Sequence, residues 1–525
     1  MGGMSIQMRR RAVLVAGCAA VLLGGQVTAA RAGGGDPLSS AALMRDVRAY
    51  ASLGPLGHWV GTASSERTLA WIRGVFAASG IRNGVDGVSF YAFRPRRWGL
   101  TIGGRRLPRT APYFYSGSTG PTARVARLAY AGEGTAGDLA GTNVKGKIAV
   151  IDVPYLEDFL DPTFTGEGAA GGAFAAIAKA GAVGLVAVTE GPQDYPVNQD
   201  VSSTLGLKSL PTLFVGKRSG ATVIAAAKAG RRASLLLDAD PGRACAQNVW
   251  GILPGRDRTR YVVIASPTSG FDQAASERGA GDAILLGLAR HYASLPVSRR
   301  PVTLVIAALS GHEVGVGIPT FAQMHPQWFG QRTDAYIGLG ASIAAIQEQE
   351  RPDGSVQSYP FGDLSRDLYV SENPLLEPIV QRNFAAAQPL GSIPPSAFDP
   401  GEQSVPYALG IPIVAISGAS YYFHTAGDTP AGVSPSLLAA SATAFEQTID
   451  EIAGMAPGSL RSANVMAHTL AGEGAAGKPQ RASAPAGNPG DAAVPAAGCA
   501  TIATRARVRH RRRGHARRRR GRRRR

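Results

Sequence analysis

The chain has 525 residues, with 55 Lys and Arg against 37 Asp and Glu, giving a formal charge of +18. That length predicts roughly two to four units, at about 100–200 residues per domain. Apolar residues make up 45% of the chain, which excludes wholesale disorder, and three cysteines exclude a disulfide scaffold or a Cys-rich zinc module.

The charge is concentrated at the ends. Arg9, Arg10, Arg11 and Arg31 supply +4 in residues 1–32, and residues 505–525 hold 14 arginines and no acid. Residues 33–504 are therefore neutral on balance. A pI of about 10.2 belongs to the termini and does not argue that the folded part binds nucleic acid.

Arg9–Arg11 precede an apolar run from Ala12 to Gly25, and small residues follow up to Ala32. That order predicts a secretory signal over residues 1–32. The run is shorter than the roughly 20 residues a membrane-spanning helix needs. No later segment is long and apolar enough, so the expectation is a secreted or cell-envelope protein with no transmembrane span in the mature chain. Cys245 and Cys499 could pair in an oxidising compartment, but the sequence does not show whether they meet.

A helix is predicted from Ser39 or Ser40 to about Leu53. A second starts at Ser64 or Ser65, carries Leu69, Ile72, Val75 and Phe76 on one face, and stops at Gly80. Val88–Phe93 reads as a strand and Gly103-Gly104 as a hairpin turn. Strands at Lys147–Val153, Val183–Thr189 and Leu213–Val215 then alternate with Gly-rich turns and an Ala-rich helix from Gly172 to Lys179. Val144–Ile148, Ala180–Gly184 and Leu210–Leu213, in that order, resemble a protease-associated (PA) domain. The resemblance implies an inserted α/β domain over residues 113–245, as a lid, a substrate selector or a spacer.

From Asn248 to Ala456 longer strands (Tyr261–Ala265, Val302–Leu309, Ala335–Leu339) alternate with helices (Asp282–Tyr292, Pro374–Ala387, Pro435–Met455). This predicts an α/β fold with a mostly parallel or mixed sheet covered by helices on both faces. Chemistry in such sheets sits beyond the carboxyl ends of the strands. Gly279–Asp282, Ser310–Gly315 and Phe423–Pro430 all fall there. Asp282, Glu313 and His424 offer one Asp, one Glu and one His, and three protein ligands with an open fourth position mark a catalytic zinc site.

With these residues in place, roughly residues 40–456 resemble the exported zinc aminopeptidases of metallopeptidase family 28, whose superfamily includes the single-zinc glutaminyl cyclases. Asn248–Gly255 is similar to the family's entry strand and Gly279–Asp282 to its Gly-Ala-x-Asp segment. Glu313 falls on the second residue of its Glu-Glu pair, and His424-Thr425 with Asp428-Thr429-Pro430 on its last ligand motif. The resemblance implies metal ligands Asp282, Glu313 and His424, and joins residues 33–112 to a peptidase-like domain at 246–456. It also exposes departures. Pro267 stands where a ligand His belongs, Gly340 where a ligand Asp belongs, and His312 where the general-base Glu belongs.

Two outcomes stay open. One zinc ion binds Asp282, Glu313 and His424, with His312 as the base for peptide or amide hydrolysis, since imidazole titrates near neutrality. Alternatively the site is vestigial, and the chain is an inactive peptidase-fold module that binds peptide or envelope polymer. Glu277 and Arg278 read as an ion bridge, with Arg278 otherwise free to meet a substrate carboxylate. In the vestigial reading Asp428 holds the His424 turn, and the resemblance implies that Gly401–Ser404, with Glu402, lines the pocket. Residues 457–504 read as a disordered Ala/Pro/Gly-rich linker. The tail at 505–525 is either a solvated run or a contact for an anionic envelope surface, with no specific nucleic acid as its target.

Overall fold

The computed structural model describes residues 35–54, 57–153, 172–198, 209–359, 366–389, 391–395, 403–465 and 499. The leader read in residues 1–32 and the arginine tail lie outside these residues, as does Glu402. Helix Ser40–Leu53 is capped by the Ser39 hydroxyl, which accepts from the Ala42 amide. The next helix, Ala63–Ala78, starts slightly earlier than the serines suggested. Thr62 is its cap and accepts from the Ser65 amide. Leu69, Ile72 and Phe76 are buried along one face, and Gly80 ends the segment at φ +71°.

The strand expected at Val88–Phe93 is the centre of a much longer one, Arg82–Ile102, paired antiparallel with Arg232–Leu253 along its length. Arg82 faces Ile252 at one end, and Ile102 faces Ala233 at the other. Gly103 and Gly104 have φ of +57° and +82° and turn the chain into Arg105–Arg106, the geometry of a type I′ hairpin.

This long pair joins two lobes in one 14-stranded sheet. In the first lobe, Asp257–Pro267 lies between Val302–Leu309 and Thr333–Leu339, parallel to both, and Ile413–Gly418 continues the parallel run. Arg366–Val370 is antiparallel at the far side, and Arg232–Leu253 is antiparallel to Val302–Leu309 at the near side. Alternation assigns the faces. Val262, Ile264, Leu304 and Ile306 pack with helices Ser40–Leu53, Ala63–Ala78, Ala280–Ser294 and Pro435–Gly454. Val263, Ala265, Val305 and Ala307 pack with Ile318, Phe321, Trp328 and Phe329 on the other side. The expected mixed sheet with both faces covered is what the chain forms.

In the second lobe Arg124–Tyr130, Ile148–Val153, Gly184–Thr189 and Thr212–Gly216 run parallel, beside helices Gly172–Lys179 and Lys217–Lys228. Its core is separate and includes Ile148, Val150, Leu185, Val186 and Phe214. The helix expected over Pro374–Ala387 is shorter, Glu377–Asn383, followed by a 3₁₀ turn at Ala385–Ala387. Pro378 sits in its first turn, where a missing amide hydrogen costs nothing. Cys245, in the long strand, is disulfide-bonded to Cys499. Among the described residues no helix is long and apolar enough to cross a membrane.

Candidate functional site

Three parallel strands end at one edge, and the segments that follow them converge. After Asp257–Pro267 the chain makes a tight loop, with Asp272 and Ala274 at φ +52° and +41°. A π-helical turn over Ala275–Gly279 then leads into helix Ala280–Ser294. The amides of Arg278 and Gly279 both donate to the Ala274 carbonyl, each at 2.9 Å. Such a bulged turn places side chains at angles a regular helix does not offer. Its leading amides are satisfied from another segment. The Asp428 carboxylate accepts from the Ser276 amide at 2.8 Å and the Glu277 amide at 3.0 Å. Burial drives this carboxyl up to about 7, against the pull of those two amides. Asp428 thus positions the turn that carries Glu277 and Arg278.

Arg278 lies at the centre of the site. It is 2% exposed, and its guanidinium Nη2 lies 3.1 Å from Glu277 Oε1 and 3.4 Å from Glu313 Oε1. Its Nε donates to the Ser269 carbonyl at 3.0 Å. Glu313 sits in a turn between Gly311 and Gly315, both left-handed. Its other oxygen accepts from the Ser269 hydroxyl at 2.5 Å, and that hydroxyl accepts from the Gly311 amide at 2.8 Å. Glu313 is thereby held from two sides.

His424 also reaches this network. Its Nε2 lies 3.3 Å from Glu277 Oε1. Its backbone is left-handed at φ +58°, an uncommon conformation for a non-glycine residue, and its ring stacks on Phe423. Its carbonyl accepts from Asn198 of the second lobe, through the amide at 2.8 Å and Nδ2 at 3.2 Å. Burial raises the Glu277 carboxyl, but His424, Arg278 and His312 together outweigh it and hold the group below the usual carboxylate range. His312, half-buried beside Glu313, therefore helps keep Glu277 ionised. Asp282 behaves in the opposite way. It is fully buried in the first turn of the helix, and burial drives its carboxyl far above the ordinary range, while the Ser266 hydroxyl and Arg278 offset only part.

The acid that His424 meets is accordingly Glu277 rather than the expected Asp282. Among the described residues no three His, Cys, Asp or Glu side chains are placed to hold a metal ion. The residues present do not fit zinc as they stand, because a guanidinium already bridges the two carboxylates. The neighbouring position is closed as well. A side chain at Gly340 would put its Cβ 2.5 Å from the Ile416 carbonyl oxygen, so no ligand fits there without moving backbone. Sequence reasoning registered Glu277 only as the partner of Arg278. The signal for its larger role was its place at the head of the helix, next to the segment thought to supply the ligand.

A cleft of about 230 Å³ opens beside this network, walled by both lobes. Trp59, Trp98, Phe114, Tyr195, Phe271 and Asp272 line it, with Ala426 two residues beyond His424. Trp59 stacks against Phe114 and Phe271 at centroid distances of 3.9 and 5.1 Å, and Phe271 meets the His424 ring edge-on at 4.9 Å. The Arg109 guanidinium lies 4.0 Å over the Tyr195 ring. Asp272 is pushed up to about 6 by burial and by Glu277, and Asn198 Nδ2 donates to it at 3.3 Å. Sequence reasoning missed this cleft, because its walls come from five separated segments.

No family model matches the sequence, and no curated protein matches it. Solved structures do share its fold. A zinc aminopeptidase from Bacillus subtilis aligns over 80% of this chain and 96% of its own, at 16% identity and a TM-score of 0.59. A peptidase M28 precursor from Shewanella amazonensis SB2B aligns over 79% and 96%, at 19% identity and 0.57. An aminopeptidase from Aneurinibacillus sp. strain AM-1 aligns over 81% and 97%, at 18% identity and 0.50. The architecture built up from the paired strands and the helix-covered sheet is the fold of the M28-type zinc aminopeptidases.

Proposed function

We propose that this chain is an exported peptidase-fold protein that binds short peptides in the cleft between its lobes and does not hydrolyse them. The cleft carries this reading. Aromatic walls supply apolar contact, while Asp272 and Arg109 supply a group of each sign for the ends of a peptide. The adjoining acids are already paired with Arg278, which offsets part of their charge without an external cation. The Cys245–Cys499 bond supports an oxidising, extracytoplasmic setting. On this reading the second lobe is a PA-type insert that closes one side of the cleft, and the tail at 505–525 holds the protein to an anionic envelope surface.

Zinc-dependent peptide or amide hydrolysis is the second reading. One observation favours it: Glu277 and Glu313 meet the same guanidinium, and His424 meets Glu277, so donors suited to zinc are gathered at the strand ends. His312 would then be the base, and Asp282 would remain buried behind the site. This reading requires Arg278 to give way.

A fluorescence titration with Phe-Ala and Phe-Ala-Ala, read through Trp59 and Trp98, tests the proposal when paired with mass-spectrometric analysis of the same mixtures. Saturable quenching with intact peptide is the expected result. Release of free phenylalanine in the presence of zinc, abolished by His424→Ala, would establish the hydrolase instead.

A further inference from the structure

We infer that Arg278 is a built-in cation that keeps this site free of metal, and that Glu277, Glu313 and His424 form a latent divalent-cation site exposed only when its guanidinium is removed. The inference stands on the geometry of the strand ends, independently of whether the cleft binds peptide.

Four observations carry it. First, Arg278 is buried and shared. Its Nη2 contacts one oxygen of each carboxylate, at 3.1 and 3.4 Å. A guanidinium presents a rigid fork of donors and stays ionised even when buried, so it supplies a permanent positive charge. Second, it is fixed in place. Nε is held by the Ser269 carbonyl at 3.0 Å, and the Ser269 hydroxyl in turn donates to Glu313 at 2.5 Å. Third, the surrounding chain leaves room for it. Any side chain at Gly270 would put its Cβ 3.1 Å from Arg278 Cγ and 2.9 Å from Ala274 Cβ. Fourth, the same Glu277 oxygen that meets Arg278 lies 3.3 Å from His424 Nε2.

The chemistry of the set follows from these contacts. Two carboxylates and an imidazole suit a borderline divalent ion such as zinc. In this chain one guanidinium nitrogen contacts both acids and offsets part of their combined charge. A divalent ion entering beside it would meet a like charge in a buried, weakly screened place, and would have to take Glu277 and Glu313 from their existing partner. Removing the guanidinium reverses the balance. The two acids then lose their shared partner, and a divalent cation is what would offset both charges.

The test uses the full chain and zinc alone. Wild type, Arg278→Ala and Arg278→Gln are dialysed against zinc, then analysed for metal content and by calorimetric titration. Zinc affinity is expected to rise by about 100-fold or more in both variants, the scale on which breaking a buried ion pair acts. Adding Glu277→Gln or His424→Ala to either variant should abolish the gain. Should the variants be unfolded without metal, zinc should restore their near-ultraviolet circular dichroism. Wild-type protein that loads zinc in stoichiometric amount and loses it on His424→Ala would overturn the inference. So would folded Arg278 variants that take up no zinc, or unfolded ones that zinc does not recover.

Discussion

The guanidinium of Arg278 lies within 3.4 Å of Glu313 Oε1, and neither side chain is exposed by more than a few percent. A buried pair of this kind is weak evidence for net stability, but breaking it is costly, because an uncompensated charge stays behind. Glu313→Gln should therefore destabilise the first lobe, and Arg278→Met should do so more, by about 3–5 kcal/mol. Urea denaturation of each variant at neutral pH measures this. A cost below about 1 kcal/mol for Arg278→Met, the range of an exposed pair, would show that the network is looser than its geometry.

Asp282 and Glu277 should respond oppositely to loss of charge. Burial raises the Asp282 carboxyl far above its ordinary range and so disfavours its charged form, and Asp282→Asn puts a neutral group of similar shape in its place. Its stability at pH 8 should stay within about 1 kcal/mol of wild type or exceed it. Glu277 is held ionised by His424 and Arg278, so Glu277→Gln should cost about 3 kcal/mol or more. Paired denaturation curves settle the order, and the reverse order would return Asp282 to the centre of the site.

His58 makes the fold acid-sensitive. Its ring is fully buried, stacked on Tyr50 at 3.9 Å, with Nδ1 2.9 Å from the Thr68 hydroxyl. Burial, aided by Arg67, lowers its pKa to about 3. The unfolded chain takes up this proton near pH 6.5 and the folded chain only near 3, so the stabilisation is complete above 6.5 and is lost as pH falls between these values. Between pH 7.5 and 5 the loss should be about 2 kcal/mol, from 1.36 kcal/mol per pKa unit. His58→Phe should remove that part of the pH dependence while keeping the stack. A wild-type and variant difference that stays constant with pH would exclude His58 as the cause.

The Cys245–Cys499 bond predicts a topological result. A protease site inserted near residue 480 should allow cutting without release of the tail, because residue 499 remains tied to the long strand. Unreduced samples should run at full mass, and reduction should free the C-terminal fragment. Release without reductant would mean that the bond does not form in the purified chain.

The fold was legible where local pattern and burial agree. Val302–Leu309 and Gly172–Lys179 were placed to the residue, because a continuous apolar run and a short Ala-rich segment each admit one reading. The long pair Arg82–Ile102 and Arg232–Leu253 was not seen at its full length. Half of its residues face outward, and Pro95, Pro241 and several glycines break the apolar alternation. In the site, Glu313, His424 and Arg278 were named from sequence and are brought together. Glu277 was undervalued because its role depends on a π-helical turn, which has no sequence signature of its own. The cleft was invisible for a different reason: Trp59, Trp98, Tyr195 and Phe271 become neighbours only through tertiary folding.

The strand Arg232–Leu253 belongs to both lobes, pairing with Arg124–Arg127 near its start and with Leu304–Ala308 near its end. A lobe hung on two slack connections could swing like a door. One carried on a doubled ribbon resists bending and yields chiefly to torsion. Access to the crevice between the halves is thus expected to follow the twist of that ribbon and rotation of the rings at its mouth, rather than wholesale opening.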